Sequence, residues 1–277
     1  MQVEVARHAG VCYGVERALK LADEAAAQGR VVHTLGPLIH NPQAVAELKE
    51  RGVEVAACLN DVDEGILVIR SHGVDPAIIT AAQDRGLDVV DATCPFVSAA
   101  HTCARELAEA GYSVVIVGEE DHPEVEGIMA HAGGTALIVE DVADLPERLP
   151  SRRIGVVVQT TQSLARLKEI VDALLPRVSE LRVCNTICSA TAKRQLSAEE
   201  LAKTVDVMIV VGGHNSGNTT RLAEICAEVN PRTHHVETAD EIESSWFAGA
   251  ESVGITAGAS TPDAQVAGVV AAIESLG

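Results

Sequence analysis

Asp91-Ala92-Thr93-Cys94-Pro95-Phe96 is the stretch on which the fold turns. An apolar run of Leu87, Val89 and Val90 ends at it, and an amphipathic pattern of Ala99, Ala100, Leu107 and Ala108 begins just beyond. Proline has no N–H to lose at a first helical position, so Pro95 should start a helix that Cys94 caps. A thiol placed there faces unpaired N–H groups and the positive end of the helix dipole, which favours its thiolate. A thiolate is the form that a nucleophile or a metal ligand needs. Two other stretches share the plan: one runs through Cys12 into Val15-Glu16-Arg17-Ala18-Leu19, the other through Cys188 into Lys193-Arg194-Gln195-Leu196. Three successive thirds of the chain thus each carry one cysteine at a junction into a helix.

Outward from these junctions the chain alternates short β-branched runs with helical patterns. The runs predict strands over 3–6, 31–34, 66–70, 87–90, 113–117, 136–139, 154–158, 181–183, 206–211, 234–236 and 252–256. Helical patterns lie between most of them, for example over 76–85, 163–175, 219–228 and 262–273. Regular alternation with near-continuous apolar strands implies an α/β fold of mainly parallel sheets, covered by helices on both faces. No Pro/Gly/Ser-rich linker breaks it, so any subdivision must come from internal repetition.

The repetition is visible. His40 lies 28 residues after Cys12, His122 lies 28 after Cys94, and Asn215 lies 27 after Cys188. Each sits just past a strand and just before a helix. Farther on, each third has another strand ending in a polar cluster: Arg70-Ser71-His72-Gly73, Gln159-Thr160-Thr161, and Gly258-Ala259-Ser260-Thr261. In parallel α/β sheets, ligands collect at such C-terminal strand ends. Pro42, Pro76, Pro95, Pro123 and Pro262 stand where helices should start. Helix N-termini aimed at one cavity hold an anion without Lys or Arg, which matters in a chain this acidic.

Composition bounds the function. The formal net charge of −19 argues against a nucleic-acid binder and against adsorption to anionic lipid. Aromatic residues make up only 2%, so the core must be Val, Ile, Leu and Ala. The longest apolar stretches are strand-length, short of the roughly 20 residues of a membrane span. The N-terminal residues carry no basic segment followed by an apolar run, and the seven cysteines are an odd number. Neither an export leader nor structural disulfides are expected, and the expected setting is cytoplasmic.

Each signal has a plainer reading. A cysteine is often only a small core hydrophobe, which is the expectation for Cys58, Cys103, Cys184 and Cys226. Recurring context sets Cys12, Cys94 and Cys188 apart. Single histidines are often hydrogen-bonded loop residues, the expectation for His8, His33, His101, His131, His214, His234 and His235. Recurrence singles out His40, His72 and His122 instead. Glu124, two places after His122, is either a first-turn acid complementing the helix dipole or a proton donor, and the donor is the better reading. Thr160, Thr161 and Ser260 would otherwise be ordinary N-caps. Gly212-Gly213 beside Asn215-Ser216-Gly217 looks like a phosphate-cradling loop, against the plainer reading of a Gly-rich turn after a strand.

Together these motifs resemble the 4-hydroxy-3-methylbut-2-enyl diphosphate reductase family, from Gly10-Val11-Cys12-Tyr13-Gly14-Val15 to Ala257-Gly258-Ala259-Ser260-Thr261-Pro262-Asp263. Its most specific pieces are Asp91-Ala92-Thr93-Cys94-Pro95, His122-Pro123-Glu124-Val125-Glu126-Gly127, Gln159-Thr160-Thr161 and Asn185-Thr186-Ile187-Cys188. The resemblance implies three pseudo-threefold-related α/β lobes around a central iron–sulfur cluster. Their expected bounds are 13–95, 96–185, and 186–277 together with 1–12, the N-terminal strand joining the last lobe. It implies one [4Fe-4S] cluster with three ligands, Cys12, Cys94 and Cys188, and one open iron. His40, His72 and His122, with Thr160, Ser216, Gly217, Asn218 and Ser260, would surround the diphosphate. Glu124, helped by Thr160 and His122, would deliver protons. The implied reaction removes the allylic hydroxyl with two electrons, giving isopentenyl and dimethylallyl diphosphate. Gly-x-Gly-x-x-Gly is absent, so the electrons should arrive from a separate carrier, and the resemblance implies reduced ferredoxin or flavodoxin.

Two positions depart from the family. Gly217 stands where a second serine is usual, removing one hydroxyl donor to a charged group, a loss of roughly 1.5–3 kcal/mol unless replaced. Val11 stands where Phe is usual, with altered packing expected. Two other readings fit the same residues: a non-redox protein binding a phosphorylated metabolite, with the cysteines as core, and an open-cluster hydratase or dehydratase.

Overall fold

The computed structural model describes residues 1–276. Position 277, part of the expected third lobe, lies outside the described residues. In chain order the elements begin β1 (Gln2–Val5), α1 (Tyr13–Ala26), β2 (Val32–Leu35), α2 (Pro42–Glu50), β3 (Val53–Ala56), β4 (Ile66–Ile69), α3 (Pro76–Asp84), β5 (Asp88–Asp91) and α4 (Pro95–Glu109). Next come β6 (Ser113–Val117), α5 (Pro123–His131), β7 (Ala136–Val139), β8 (Arg153–Val158), α6 (Leu164–Leu174), β9 (Glu180–Cys184) and α7 (Ser189–Ala202). The last are β10 (Val207–Val211), α8 (Gly217–Val229), β11 (Thr233–Val236), β12 (Ser252–Ala257) and α9 (Asp263–Glu274).

The strands form three four-stranded sheets, and every described pairing is parallel. Their orders are β3-β2-β4-β5, β7-β6-β8-β9 and β11-β10-β12-β1. Each sheet reads second, first, third, fourth. In the last, the fourth place is taken by β1, with Gln2 opposite Ser252 and Val5 opposite Ile255. The expected three-lobed α/β fold, with the N-terminal strand in the last sheet, is therefore what the chain adopts. Only β3 has no counterpart in the expected strands. Val53-Glu54-Val55-Ala56 is a four-residue edge strand whose middle pair is exposed, so it lacks the apolar run that marks the others.

Two compact units are formed. Met1–Val15, His40–Ala44 and the residues from Ser189 on make one, which contains the β1 sheet. Glu16–Ile39 with Val45–Cys188 make the other, which contains the remaining two sheets.

Helices cover both faces because the strands are apolar on both. Val207, Ile209 and Val211 of β10 pack with Val269 and Ile273 of α9. Met208 and Val210, pointing the other way, pack with Ala198 and Leu201 of α7 and Leu222 of α8. The β6 strand divides likewise, Val114 and Ile116 meeting α4 and α5 while Val115 and Val117 meet α6. Phe247 is the one aromatic side chain among the described core residues, as the composition requires.

Candidate active site

The repeat fixes where chemistry-bearing residues emerge. After the first strand of each sheet come His40, His122 and Ser216, immediately or almost immediately before α2, α5 and α8. After the third strand come His72, Thr160 and Ser260, ahead of α3, α6 and α9. After the fourth come Cys94, Cys188 and Cys12, each directly before its helix, α4, α7 and α1. All nine lie beyond C-terminal strand ends, where parallel sheets leave backbone groups and helix N-termini pointing outward. One unit holds Cys12, His40, Ser216, Gly217, Asn218 and Ser260; the other holds His72, Cys94, His122, Glu124, Thr160 and Cys188.

In the second unit, Pro95 is the first residue of α4 and Cys94 its N-cap, as the opening stretch predicts. The Cys94 turn is fixed from three sides. Its N–H donates to Ser71 O at 2.9 Å. Asp91 Oδ1 accepts from Thr93 N at 2.9 Å. Arg17 donates to Thr93 O at 3.1 Å. His122 caps α5, its Nδ1 accepting from Glu124 N at 3.1 Å. That makes Nε2 the protonated nitrogen of the neutral ring, a donor suited to an anion. His72 meets the His122 ring edge-on at 5.6 Å. Gly73, at φ +74, turns the chain after His72; a Cβ there would stand 2.4 Å from His101 Cε1.

Glu124 is 2% exposed. Thr160 donates to it twice, from N to Oε1 at 2.5 Å and from Oγ1 to Oε2 at 2.9 Å. Burial pushes its carboxyl up to about 7, against the two Thr160 donors and with a smaller push from Glu119. The elevation is present in the protein alone; it does not wait for a neighbouring anion. Thr160 also ties this acid to a cysteine, its carbonyl accepting from Cys188 N at 3.1 Å.

In the first unit, Cys12 N donates to Ala259 O at 3.0 Å, beside Ser260. Ser260 Oγ donates to His40 O at 2.9 Å, and Ser216 caps α8 by accepting from Thr219 N at 3.4 Å. Neither Ser260 nor Thr160 nor Thr161 is an N-cap, since α6 is capped by Ser163 and α9 by Pro262. Gly212 carries φ +145, and a Cβ on it would lie 2.6 Å from Thr261 Oγ1. Only glycine admits that backbone and that approach, and it brings the loop down onto Thr261. Asn218 is buried, and neither amide atom has a hydrogen-bond partner among the described residues. A buried amide without partners is costly, so Asn218 calls for a ligand.

The cysteines divide by environment. Burial pushes the Cys226 thiol up to about 12. Burial, and then a hydrogen bond with Cys103, push Cys184 up to about 11. Cys12, Cys94 and Cys188 are half-buried, each at a helix start. Soft sulfur ligands in that setting fit an iron–sulfur cluster, which is usually held by cysteines. Among the described residues no set of three His, Cys, Asp or Glu side chains is arranged to hold a single metal ion.

Two residues near the site have roles that the sequence reading did not assign. Ser71 braces the Cys94 turn, donating from Oγ to Leu38 O at 3.1 Å. Asn41 caps α2 through Ala44 N at 2.8 Å; the Asn41-Pro42 pair was a readable cap signal. The loop reading fails for His33 and for His234 and His235, which lie in strands, and for His101 and His131, which lie in helices. His101 and His131 stack at 4.1 Å, and burial, then His131, push His101 down to about 4.

The family model described as LytB protein matches residues 3–274. A 4-hydroxy-3-methylbut-2-enyl diphosphate reductase of Pelobacter propionicus is 52% identical over 265 residues, covering 95% of this chain and 94% of its own. The same enzyme of Geotalea uraniireducens is 49% identical over 279 residues, covering 100% and 98%. A solved structure of (E)-4-hydroxy-3-methyl-but-2-enyl diphosphate reductase, the terminal enzyme of the non-mevalonate pathway, is 47% identical. It covers 99% of this chain and 100% of its own, with a TM-score of 0.72. The Plasmodium falciparum E-1-hydroxy-2-methyl-but-2-enyl-4-diphosphate reductase is 26% identical with a TM-score of 0.93, covering 98% and 87%.

Proposed function

The chain belongs to the LytB protein family, and from that premise we propose how its residues divide the work. The enzyme is an oxidoreductase of isoprenoid synthesis that reductively dehydroxylates (E)-4-hydroxy-3-methylbut-2-enyl diphosphate to isopentenyl and dimethylallyl diphosphate. The family is one of iron–sulfur enzymes. The finer assignment is one [4Fe-4S] cluster on Cys12, Cys94 and Cys188, with one iron left without a protein ligand. When bound, it would pass on, one at a time, two electrons from the reduced donor and offer a Lewis acid for the departing hydroxyl.

The chain's own residues bind and protonate. His40, His72 and His122, with Ser216, Asn218, Ser260 and the backbone at Gly217, surround the diphosphate. Helix N-termini at α2, α5 and α8 add oriented N–H groups. Glu124 gives up the proton that leaves with the hydroxyl as water, and a second proton, drawn from solvent, is taken up at the product carbon. The Glu124 carboxyl holds its proton near neutral pH because it is buried, while the two Thr160 donors stand ready to stabilise the ion left behind. This buried acid, tied through Thr160 to Cys188, is the observation that carries the reading. Lobes over 13–95, 96–185, and 186–277 with 1–12, a cytoplasmic setting, and reduced ferredoxin or flavodoxin as donor complete it. Among the described residues no helix is long and apolar enough to cross a membrane.

The test is Glu124→Gln in anaerobically prepared protein. It should keep the visible spectrum and diphosphate affinity and lose at least roughly 100-fold in turnover, the scale of general acid catalysis. Turnover near wild type would remove Glu124 from the mechanism.

A further inference from the structure

Residues His40–Ala44 belong to one compact unit, while the chain on both sides of them belongs to the other. The first three of these residues lie outside any strand, so nothing from a sheet ladder holds them. Three residues of the unit that receives the segment do. Ser260 donates to His40 O at 2.9 Å. Asn41, 1% exposed, spends Oδ1 on capping α2 and donates from Nδ2 to Gln265 Oε1 at 3.3 Å. Gln265 turns its own Nε2 to the backbone carbonyl of Glu237. Gln43 Nε2 donates to Glu237 Oε1 at 3.2 Å.

We propose that Gln265, in the first turn of α9, is a positioning residue that locks the His40 segment in place for diphosphate binding, with Glu237 as the second anchor. This rests on the reading of His40 as a diphosphate ligand. Gln265 links the segment to the second anchor, accepting from Asn41 Nδ2 and donating to the Glu237 carbonyl. Its loss leaves the Asn41 amide buried without an acceptor and frees Asn41 to shift, carrying His40 with it. Gln265 touches no reacting atom, so binding should suffer and the chemical step should not.

Gln265→Leu, Gln43→Ala and His40→Ala would be compared as cluster-loaded, anaerobic enzyme. Three quantities are read: kcat and KM for the diphosphate substrate, Kd for inorganic pyrophosphate, and hydrogen exchange of residues 40–44. For Gln265→Leu, KM and the pyrophosphate Kd should rise about tenfold, the effect of one lost hydrogen bond to a buried amide, with kcat within about twofold. Exchange over 40–44 should speed up. Gln43→Ala, farther from His40, should do the same more weakly, and it serves as the test if the leucine variant does not fold. If His40→Ala weakens binding but neither anchor variant does, the lock is refuted and the histidine reading stands. If His40→Ala binds pyrophosphate like wild type, both fall.

Discussion

At Glu124 the Thr160 N–H and hydroxyl pull the carboxyl toward its ionised form while burial pushes the other way, and burial wins, placing it at about 7 against 4.5 for the unperturbed side chain. The folded protein therefore holds this proton more tightly than the unfolded chain. The associated stability is fully present below pH about 4.5 and is lost as pH rises to about 7, in total on the order of 3 kcal/mol. Glu124→Gln has no proton to lose. Urea titrations should show wild type losing stability relative to the glutamine variant across that window and holding a constant difference above it. Gly217 offers a second residue-scale test. It is the first residue of α8 and lacks a positive φ, so serine fits its backbone. Gly217→Ser should leave folding intact and lower KM for the diphosphate substrate by up to roughly tenfold, the worth of one hydroxyl donor to a charged group. An unchanged KM would mean that a backbone N–H already does that work.

Among the elements, the central strands carry most of the stability and the edge strands little. Ile209 in the middle of β10 is fully buried, so Ile209→Ala should cost roughly 3 kcal/mol in urea unfolding. Val55 on the β3 edge is 46% exposed, and the same truncation there should cost well under 1 kcal/mol. This contrast also explains what the sequence disclosed. Runs such as Val207-Met208-Ile209-Val210-Val211 announce themselves because both their faces are covered. Val53-Glu54-Val55-Ala56 does not, because an edge strand needs no such run. Pro42, Pro76, Pro95 and Pro123 open their helices as expected, and Pro262 stands one place before α9. Proline punctuation is local and survives any packing. Cys94 and His122 were legible for the same reason. Asn41 with Gln265 is a pairing of residues 224 positions apart, and no local pattern records it. A glutamine in the first turn of a helix looks like an ordinary solvated residue until the fold brings a partner to it.

On the scale of the molecule, one cysteine from each repeat is proposed to hold a shared inorganic centre, so removing any one should empty it. Cys94→Ser should lose bound iron and visible absorbance while circular dichroism keeps its α/β form; full iron content would refute the ligand assignment. The repeat itself is permuted, since β1 completes a sheet whose other strands are β10, β11 and β12. That arrangement has a consequence on the ribosome. The strand leading to Cys12 is made about 250 residues before its neighbour, which starts at Ser252. At 5–20 residues per second, the growing polypeptide carries that strand unmatched for roughly 12–50 s. A cluster held by Cys12, as proposed, would therefore have to wait for that late segment to complete the third sheet. A nascent chain stalled before Ser252 would have the junctions at Cys94 and Cys188 flanked by their own strands, and the one at Cys12 still waiting for its neighbour.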